Sequence, residues 1–352
     1  MSRSTRTLRW FNLLLVLATF LTYLAPLVSP ATFWPLSFFG LLFPWLLLAH
    51  ICCIIGWLAL RKYYFVFSAA CLILGWGHVQ SFVGLHTSKP APEGQAIRLM
   101  TYNCYDFRDR NNTNDWIPED KLPEAFPIGD WDVVCFQEFP NRIHGRNAEV
   151  GSYLLNGGFK NGIYQTGGGL ALFSRYPIQA HDTHYFPNRS NGYQYADLNV
   201  NGQTIRLFNI HLQSSSVSVI ADKVVEDANL QEKETWLRIR GMMGRYKRST
   251  ILRAKQAEEV AEQIRQSPYP VLLCGDFNEI PQSYAYHTIA RGLQDAFKAR
   301  GRGLGITYGG KIPALRIDYV LAGPQFEVLA HRIGRGGFSD HFPVYCTVQL
   351  KD

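Results

Sequence analysis

The sequence predicts an α/β fold: two packed β-sheets with helices on their outer faces, carried behind an apolar N-terminal region of about three membrane helices. Three observations carry this. From Trp10 to about Leu85 the chain is almost uncharged apart from Arg61 and Lys62. Beyond residue 96 the composition turns ordinary, with many short apolar runs and few helical stretches between them. Asn201-Gly202 separates two strand-like runs and is the strongest hairpin signal in the chain.

The apolar segments span residues 10–28, 37–60 and 63–85, each near or above the roughly 20 residues that cross a bilayer as a helix. The second apolar run carries Pro35 and Pro44, which moves its expected start to Ser37; Gly75, Gly77, His78 and Gln80 dilute the third. His50 and His78 read as packed or interfacial groups. Of the net charge of +7, residues 1–96 contribute +5, from Arg3, Arg6, Arg9, Arg61, Lys62 and Lys89 against Glu93. The rest of the chain is nearly neutral, which argues against a broadly basic nucleic-acid-binding domain. Arg3, Arg6 and Arg9 predict a cytoplasmic N-terminus and Arg61-Lys62 a cytoplasmic loop, so the chain after Leu85 emerges outside as part of a multi-pass protein of the cell membrane. A cleaved signal peptide over the first segment is the alternative, and it leaves the C-terminal domain on the same extracytoplasmic side. Residues 87–96, with two prolines and a glycine, read as a short stiff linker. The seven cysteines show no CxxC or Cys/His metal spacing and read as buried thiols.

The domain at 97–352 follows. Ile97–Asn103, Asp130–Glu138 and Gly167–Ser174 each hold a strand. Tyr193–Val200 and Gln203–Leu212 form the hairpin, the latter placing Asn209 and His211 on one face, two apart. Residues 213–248 are the least legible, ending in a basic, Trp- and Met-bearing stretch, Trp236–Arg248. Ile251–Gln266 has helical spacing. Val271–Cys274 is a buried strand in which Gly275 lets the backbone turn, so that Asp276 and Asn278 project together beyond it. A second helix (Ser283–Arg291), a glycine-rich loop (Gly301–Gly310) and strands around Arg316–Leu321 and Val344–Gln349 complete the chain.

Six short pieces stand at strand ends: Thr-Tyr-Asn103, Gln-Glu138, Asn-Ile-His211-Leu, Gly-Asp276-Phe-Asn278, Arg-Ile-Asp318-Tyr-Val and Ser-Asp340-His341-Phe-Pro-Val. Taken singly each fits a turn, a cap or a solvated strand end. In this order they resemble the endonuclease/exonuclease/phosphatase superfamily, the fold of pancreatic-type deoxyribonucleases, neutral sphingomyelinases and inositol-polyphosphate 5-phosphatases. The resemblance covers roughly Ile97 to Leu350. It implies a four-layer sandwich of two mixed sheets flanked by helices, and Mg²⁺-dependent attack of water on a phosphoester, with Mn²⁺ as a substitute.

Such hydrolysis needs charge neutralised on the phosphoryl oxygens, a water deprotonated in line and a stabilised leaving oxygen. Glu138 is the expected direct Mg²⁺ ligand, with Asn103 and Asp340 beside it, since Mg²⁺ takes few hard oxygen ligands and keeps its waters. His341 is the expected general base, oriented by Asp318. Asp276 and Asn278 are expected to position the water and a phosphate oxygen. His211 resembles the histidine that contacts the phosphate or assists the leaving group. Asn209, Arg175 and Tyr308 are weaker candidates for substrate contact. Fold does not set substrate. A nearly neutral domain beside a membrane favours a phospholipid, sphingolipid, inositol-phosphate or glycolipid head group. An extracytoplasmic nuclease acting on DNA or RNA is the alternative, and a catalytically silent membrane-bound binding protein the second. The bilayer is the expected partner, and no protein partner is predicted.

Overall fold

The computed structural model describes residues 3–90, 96–110, 113–140, 145–164, 168–187, 191–214, 233–310 and 314–351. Most of the expected linker (91–95) and the middle of the illegible stretch (215–232) lie outside these.

The N-terminal module begins with one long apolar helix, Arg3–Leu24, overlapping a candidate membrane span of Thr5–Leu27 that meets the same criteria as a signal sequence. The second expected span is broken. Helices Pro35–Leu41 and Phe43–Ala59 meet at 56°, because Pro44 has no N–H to continue the ladder to Gly40. The third, at 63–85, is corrected outright. It holds a ten-residue helix, Phe65–Leu74, then Trp76–Gln80, then a strand β1 (Val83–Leu85). Gly75 interrupts it because the Tyr23 ring occupies the space a side chain would need, 2.0 Å from an added Cβ. Among the described residues one helix is long and apolar enough to span, or two if the bent pair counts as one, in place of the three predicted.

The remaining strands build two six-stranded mixed sheets. One contains β2 (Ala96–Asn103), β3 (Val133–Gln137), β4 (Asn161–Tyr164), β5 (Ala171–Ser174), β13 (Phe326–Ile333) and β14 (Val344–Leu350), in the order β13-β14-β2-β3-β5-β4. The other contains β6 (Ile178–Tyr185), β7 (Gly192–Val200), β8 (Gln203–His211), β9 (Val271–Asp276), β10 (Gln294–Asp295) and β12 (Asp318–Ala322), in the order β10-β12-β9-β8-β7-β6. β2 runs parallel to β3 and β8 parallel to β9; the other pairs within both sheets are antiparallel. β11 (Arg302–Leu304) pairs with β1 and ties the N-terminal module to the domain.

Strand alternation explains both the core and the site. Ile97 and Leu99, Val133 and Cys135, Ile205 and Leu207, Leu272 and Cys274, Val320 and Ala322 meet between the sheets. The outer face of the first sheet carries Met100, Tyr102, Phe136 and Phe173 against Val150 and Leu154 of helix Arg146–Asn156. The outer face of the second carries Phe208, Leu273 and Tyr319 against Ala257 and Val260 of helix Lys233–Arg265 and Ile289 of helix Tyr284–Ala290. Four layers result. Following the same inward-facing positions toward one end of the sandwich, apolar residues give way to Thr101 and Asn103, Gln137, Asn209 and His211, Asp276 and Asp318. A period of two thus delivers a polar end to an otherwise apolar interface.

Candidate active site

At that end the register does the convergence. His211 pairs with Asp276 across β8 and β9, Asp276 with Asp318 across β9 and β12, and Asn103 with Gln137 across β2 and β3. Gly275 does not turn the chain as expected; the strand continues through it to Asp276. Its φ of 138° and an added Cβ 2.0 Å from the Ile210 carbonyl oxygen exclude any side chain there. Glu138 and Asn278, just past the ends of β3 and β9, both have left-handed backbones, φ 51° and 50°. Such conformations in non-glycine residues concentrate at functional sites.

The Asn103 amide joins the two sheets, donating to Glu138 Oε1 at 3.1 Å and Asp276 Oδ2 at 3.0 Å. Asp276 also accepts from the Asn278 backbone N–H at 2.7 Å and its amide at 3.2 Å. Two imidazoles face this carboxylate: His211 Nε2 lies 3.7 Å and His341 Nε2 3.8 Å from Asp276 Oδ2. His211 Nε2 is also 3.9 Å from Glu138 Oε1. On its other side the His341 ring meets Asp318 through Nδ1, at 3.0 and 3.1 Å to the two carboxylate oxygens. The Thr307 hydroxyl accepts from the Asp318 backbone N–H at 3.1 Å, and Ser339 Oγ accepts from that of His341 at 3.1 Å while donating to the Asn103 carbonyl at 2.8 Å. Asp318 and His341 are each held by a second contact.

Burial opposes charge on His341, but Asp318, then Asp276, outweigh it and push the imidazole up to about 10. Desolvation, with Asp318 adding, raises Asp276 to about 6 against His341 and His211. Burial likewise raises the Glu138 carboxyl, with Asp340 adding and the Asn103 amide and His341 opposing.

The donor set suits a hard divalent cation. Glu138 and Asp276 share one neutral amide, Asp340 stands close enough to repel Glu138, and the Glu138 side chain remains 39% exposed. Glu138, Asp340 and Asn103 are the oxygen-bearing groups a Mg²⁺ ion would meet there. Asp276, Asp318 and His341 form a tighter buried group, one ligand atom of each within 4.8 Å; the Nδ1 contact to Asp318 gives that group the geometry of an oriented base.

Of the weaker candidates, Tyr308 lies edge-on to His341 at 5.1 Å. Asn209 sits below the cup, fully buried. Its amide donates to the Phe136 and Ala171 carbonyls at 3.0 Å each and its oxygen accepts from Gln137 at 2.6 Å, so it braces sheet to sheet and does not face substrate. Arg175 is at the opposite end of the sandwich, bonded to the Gly129 carbonyl at 3.1 Å. Sequence reasoning missed Arg110, whose guanidinium reaches Asp340 at 2.7 Å and lies over the Tyr105 ring. No spacing marks it. Ser339 is visible inside the Ser-Asp-His piece, but nothing in the sequence assigns it a role.

Residues 100–341 match the Endonuclease/Exonuclease/phosphatase family, and residues 5–82 match a domain of unknown function, DUF8431. No curated protein matches the chain significantly. Among solved structures, an endonuclease/exonuclease/phosphatase from Beutenbergia cavernae superposes with a TM-score of 0.52 at 18% identity, over 73% of this chain and 72% of its own. One from Bacteroides vulgatus gives 0.51 at 19%, over 73% and 99%. A humanized D. rerio TDP2 gives 0.51 at 16%, over 72% and 99%. At these identities the likeness is one of fold. With two mixed sheets flanked by helices, a buried acid–imidazole cluster at the strand ends and a family match over most of the domain, the chain belongs to the Endonuclease/Exonuclease/phosphatase family.

Proposed function

We propose that this protein is a membrane-anchored, Mg²⁺-dependent phosphoester hydrolase acting on a lipid, inositol-phosphate or glycolipid head group. The observation that carries the chemistry is the junction at Asp276, where one carboxylate meets the Asn103 amide, both imidazoles and, through His341, Asp318. His341 Nε2 takes a proton from water as the water oxygen bonds to phosphorus, while Asp318 holds the opposite ring nitrogen and stabilises the imidazolium. Asp276 and the Asn278 amide position that water and a phosphoryl oxygen. His211 faces the same point and serves the phosphate or the departing oxygen. Mg²⁺ held by Glu138, Asp340 and Asn103 would neutralise the phosphoryl oxygens and offset the carboxylates that keep His341 protonated.

The lipid reading rests on where the site lies. Leu41, at the break between the bent helices, packs on the cluster of Ile280, Tyr308, Leu315 and Ile317, and Tyr308 touches His341. Gly40 is so close to the Gln282 carbonyl oxygen that an added Cβ would stand 2.8 Å away. The apolar module therefore adjoins the loop that carries Asn278 and the segment that leads into Asp318. Its basic residues Arg9, Arg61 and Lys62 collect at the other end, where Asn12 bonds the Tyr64 carbonyl and Arg9 lies over the Tyr64 ring. That polarity supports a cytoplasmic basic end and an extracytoplasmic catalytic domain in a multi-pass arrangement. The test is a substrate screen of the full-length protein in lipid nanodiscs with Mg²⁺, beside His341→Ala. Release of head group or phosphate by the wild type alone supports the proposal. Cleavage of nucleic acid in preference to every lipid replaces it with an extracytoplasmic nuclease, and wild-type activity equal to that of His341→Ala on all substrates leaves a silent binding protein.

A further inference from the structure

One surface of the catalytic domain is not used by the chemistry above. Helix Lys233–Arg265 runs for 33 residues, and only its second half packs into the domain as Ile251–Gln266 was expected to. Between Glu234 and Glu258 the sequence has no acidic residue, yet it holds Arg238, Arg240, Arg245, Lys247, Arg248, Arg253 and Lys255. Arg253 is accounted for by its buried pairing with Glu279 at 2.8 Å. Arg238, Arg240, Arg245, Lys247 and Arg248 are exposed, as are Trp236 at 58% and Leu237 at 57%. A helix of this kind in a nearly neutral domain needs a reason, because five like charges within eleven residues repel one another.

Its surroundings supply one. The spacing 236, 240, 247 (i, i+4, i+11) places Trp236, Arg240 and Lys247 along one flank of the helix. Lys247 of that flank, and Tyr246 on the neighbouring face of the helix, meet the apolar module. The Lys247 ammonium lies 5.9 Å from the Trp34 ring, the Tyr246 hydroxyl bonds the Ser37 carbonyl at 2.9 Å, and the Tyr246 ring is edge-on to Phe38. Beside Trp34, Phe33 is 55% exposed. Phe33 and Trp34 follow the first long helix and Ser37 and Phe38 lie in the first helix of the bent pair, so they stand where the chain turns at the catalytic end. The exposed surface of the module below them is apolar: Leu14, Leu17, Leu24, Leu27, Leu48 and Ile55 are all more than 40% exposed. Aromatic side chains with cations directly above an apolar belt are the composition of a membrane–water boundary, where rings sit at head-group level and basic groups meet lipid phosphates.

We infer that the flank formed by Trp236, Arg240 and Lys247, together with Phe33 and Trp34, docks on the anionic head groups of the bilayer that holds the module. The inference rests on the membrane anchorage proposed above. It adds that the catalytic domain lies against the lipid surface in one orientation, held by charge as well as by its chain connection. The apolar belt fixes the height of the flank, and no acidic residue between Glu234 and Glu258 competes with lipid phosphate for Arg240 and Lys247.

The test uses full-length protein in nanodiscs of phosphatidylcholine alone or with one third phosphatidylglycerol, both carrying brominated acyl chains. The fluorescence belonging to Trp236 is taken as wild type minus Trp236→Phe. Strong quenching in anionic nanodiscs, weak in neutral ones and released by high salt, is the expected result. The double variant Arg240→Glu/Lys247→Glu, both exposed and outside the catalytic residues, should abolish the difference. It should raise KM for a lipid substrate by at least about fivefold per reversed charge, the worth of one lost cation, while leaving kcat on a soluble phosphodiester unchanged. Quenching independent of lipid charge, or a KM untouched by the double variant, overturns the inference. So does selective capture of an oligonucleotide by the wild-type flank without lipid quenching. Failure of the protein to insert into nanodiscs removes the anchorage and this docking together. Absence of any hydrolysis removes only the proposed activity, because the quenching is read without a substrate.

Discussion

Two buried polar clusters sit in this molecule, one in each region, and they are built on opposite terms. In the N-terminal module Asn12, Thr19, His50 and Ser68 are fully buried among apolar helices. Ser68 donates to Asn12 at 2.7 Å, and the His50 ring spans Ser68 and Thr19 at 2.9 Å each. The chain of contacts is closed, and no carboxylate takes part. In the C-terminal domain the cluster of Asn103, Glu138, Asp276, Asp318 and His341 gathers three carboxylates round one amide and one imidazole, and it opens to the surface through Glu138. The contrast teaches that burial of polar side chains is not in itself the mark of a reaction centre. Excess charge with an opening is what the proposed chemistry requires; neutral closure is enough to hold helices together.

The most direct way to break the comparison is to truncate the imidazole in each cluster. His341→Ala should lower kcat by roughly 10²- to 10⁴-fold, the usual worth of a positioned base. His50→Ala should leave kcat within about twofold of wild type, since losses as large as those of a missing base require contact with the reacting atoms. Parallel steady-state assays of the two variants decide it, and equal losses would erase the distinction.

A finer test uses pH. His341 must be neutral to accept a proton, and its carboxylate neighbours raise it, so kcat/KM should climb with pH, along a limb that saturating Mg²⁺ moves to lower pH. Asp318 is the largest of the influences that raise it. Asp318→Asn should therefore lower the maximal rate and also move the rising limb to lower pH. A merely structural loss would lower the rate at every pH without moving the limb. Glu138→Gln carries a smaller expected effect, on the cation. Mg²⁺ affinity measured by titration calorimetry should fall at least tenfold, with the fold intact by circular dichroism.

Much of the convergence at the candidate site was legible because strand periodicity and strand ends are local properties. Asn103, His211 and Asp276 each close an apolar run and Asp318 opens one, and the sheets bring those ends together. What failed needed strand order. Arg175 follows β5, which runs antiparallel to β3, so the end of that strand lies away from Glu138. Asn209 shares a face with His211 but sits two residues deeper, where the opposite sheet closes over it. β6 was missed because an edge strand exposed on both faces has no alternation to read, and Arg110 because a lone arginine in a loop has no pattern. In the module, hydropathy counted apolar residues in 63–85 but not the Tyr23 ring that needs Gly75, nor the β-pairing of Val83–Leu85 with β11.

The smallest expected effect sharpens the other half of the comparison. Removing the His50 ring takes one partner from both Thr19 and Ser68 in an apolar interior. Polar contacts between membrane helices are worth about 0.6 kcal/mol on average and rarely above about 1.7. His50→Ala should therefore cost about 1–2 kcal/mol in reversible unfolding in mixed micelles, with Mg²⁺ affinity unchanged. Ser68→Ala should cost less, because the His50 ring keeps Thr19 and Asn12 keeps the Tyr64 carbonyl. If His50→Ala instead left stability untouched and altered turnover, the module's cluster would have to be joined to the chemistry, and neutral closure would no longer distinguish packing from catalysis.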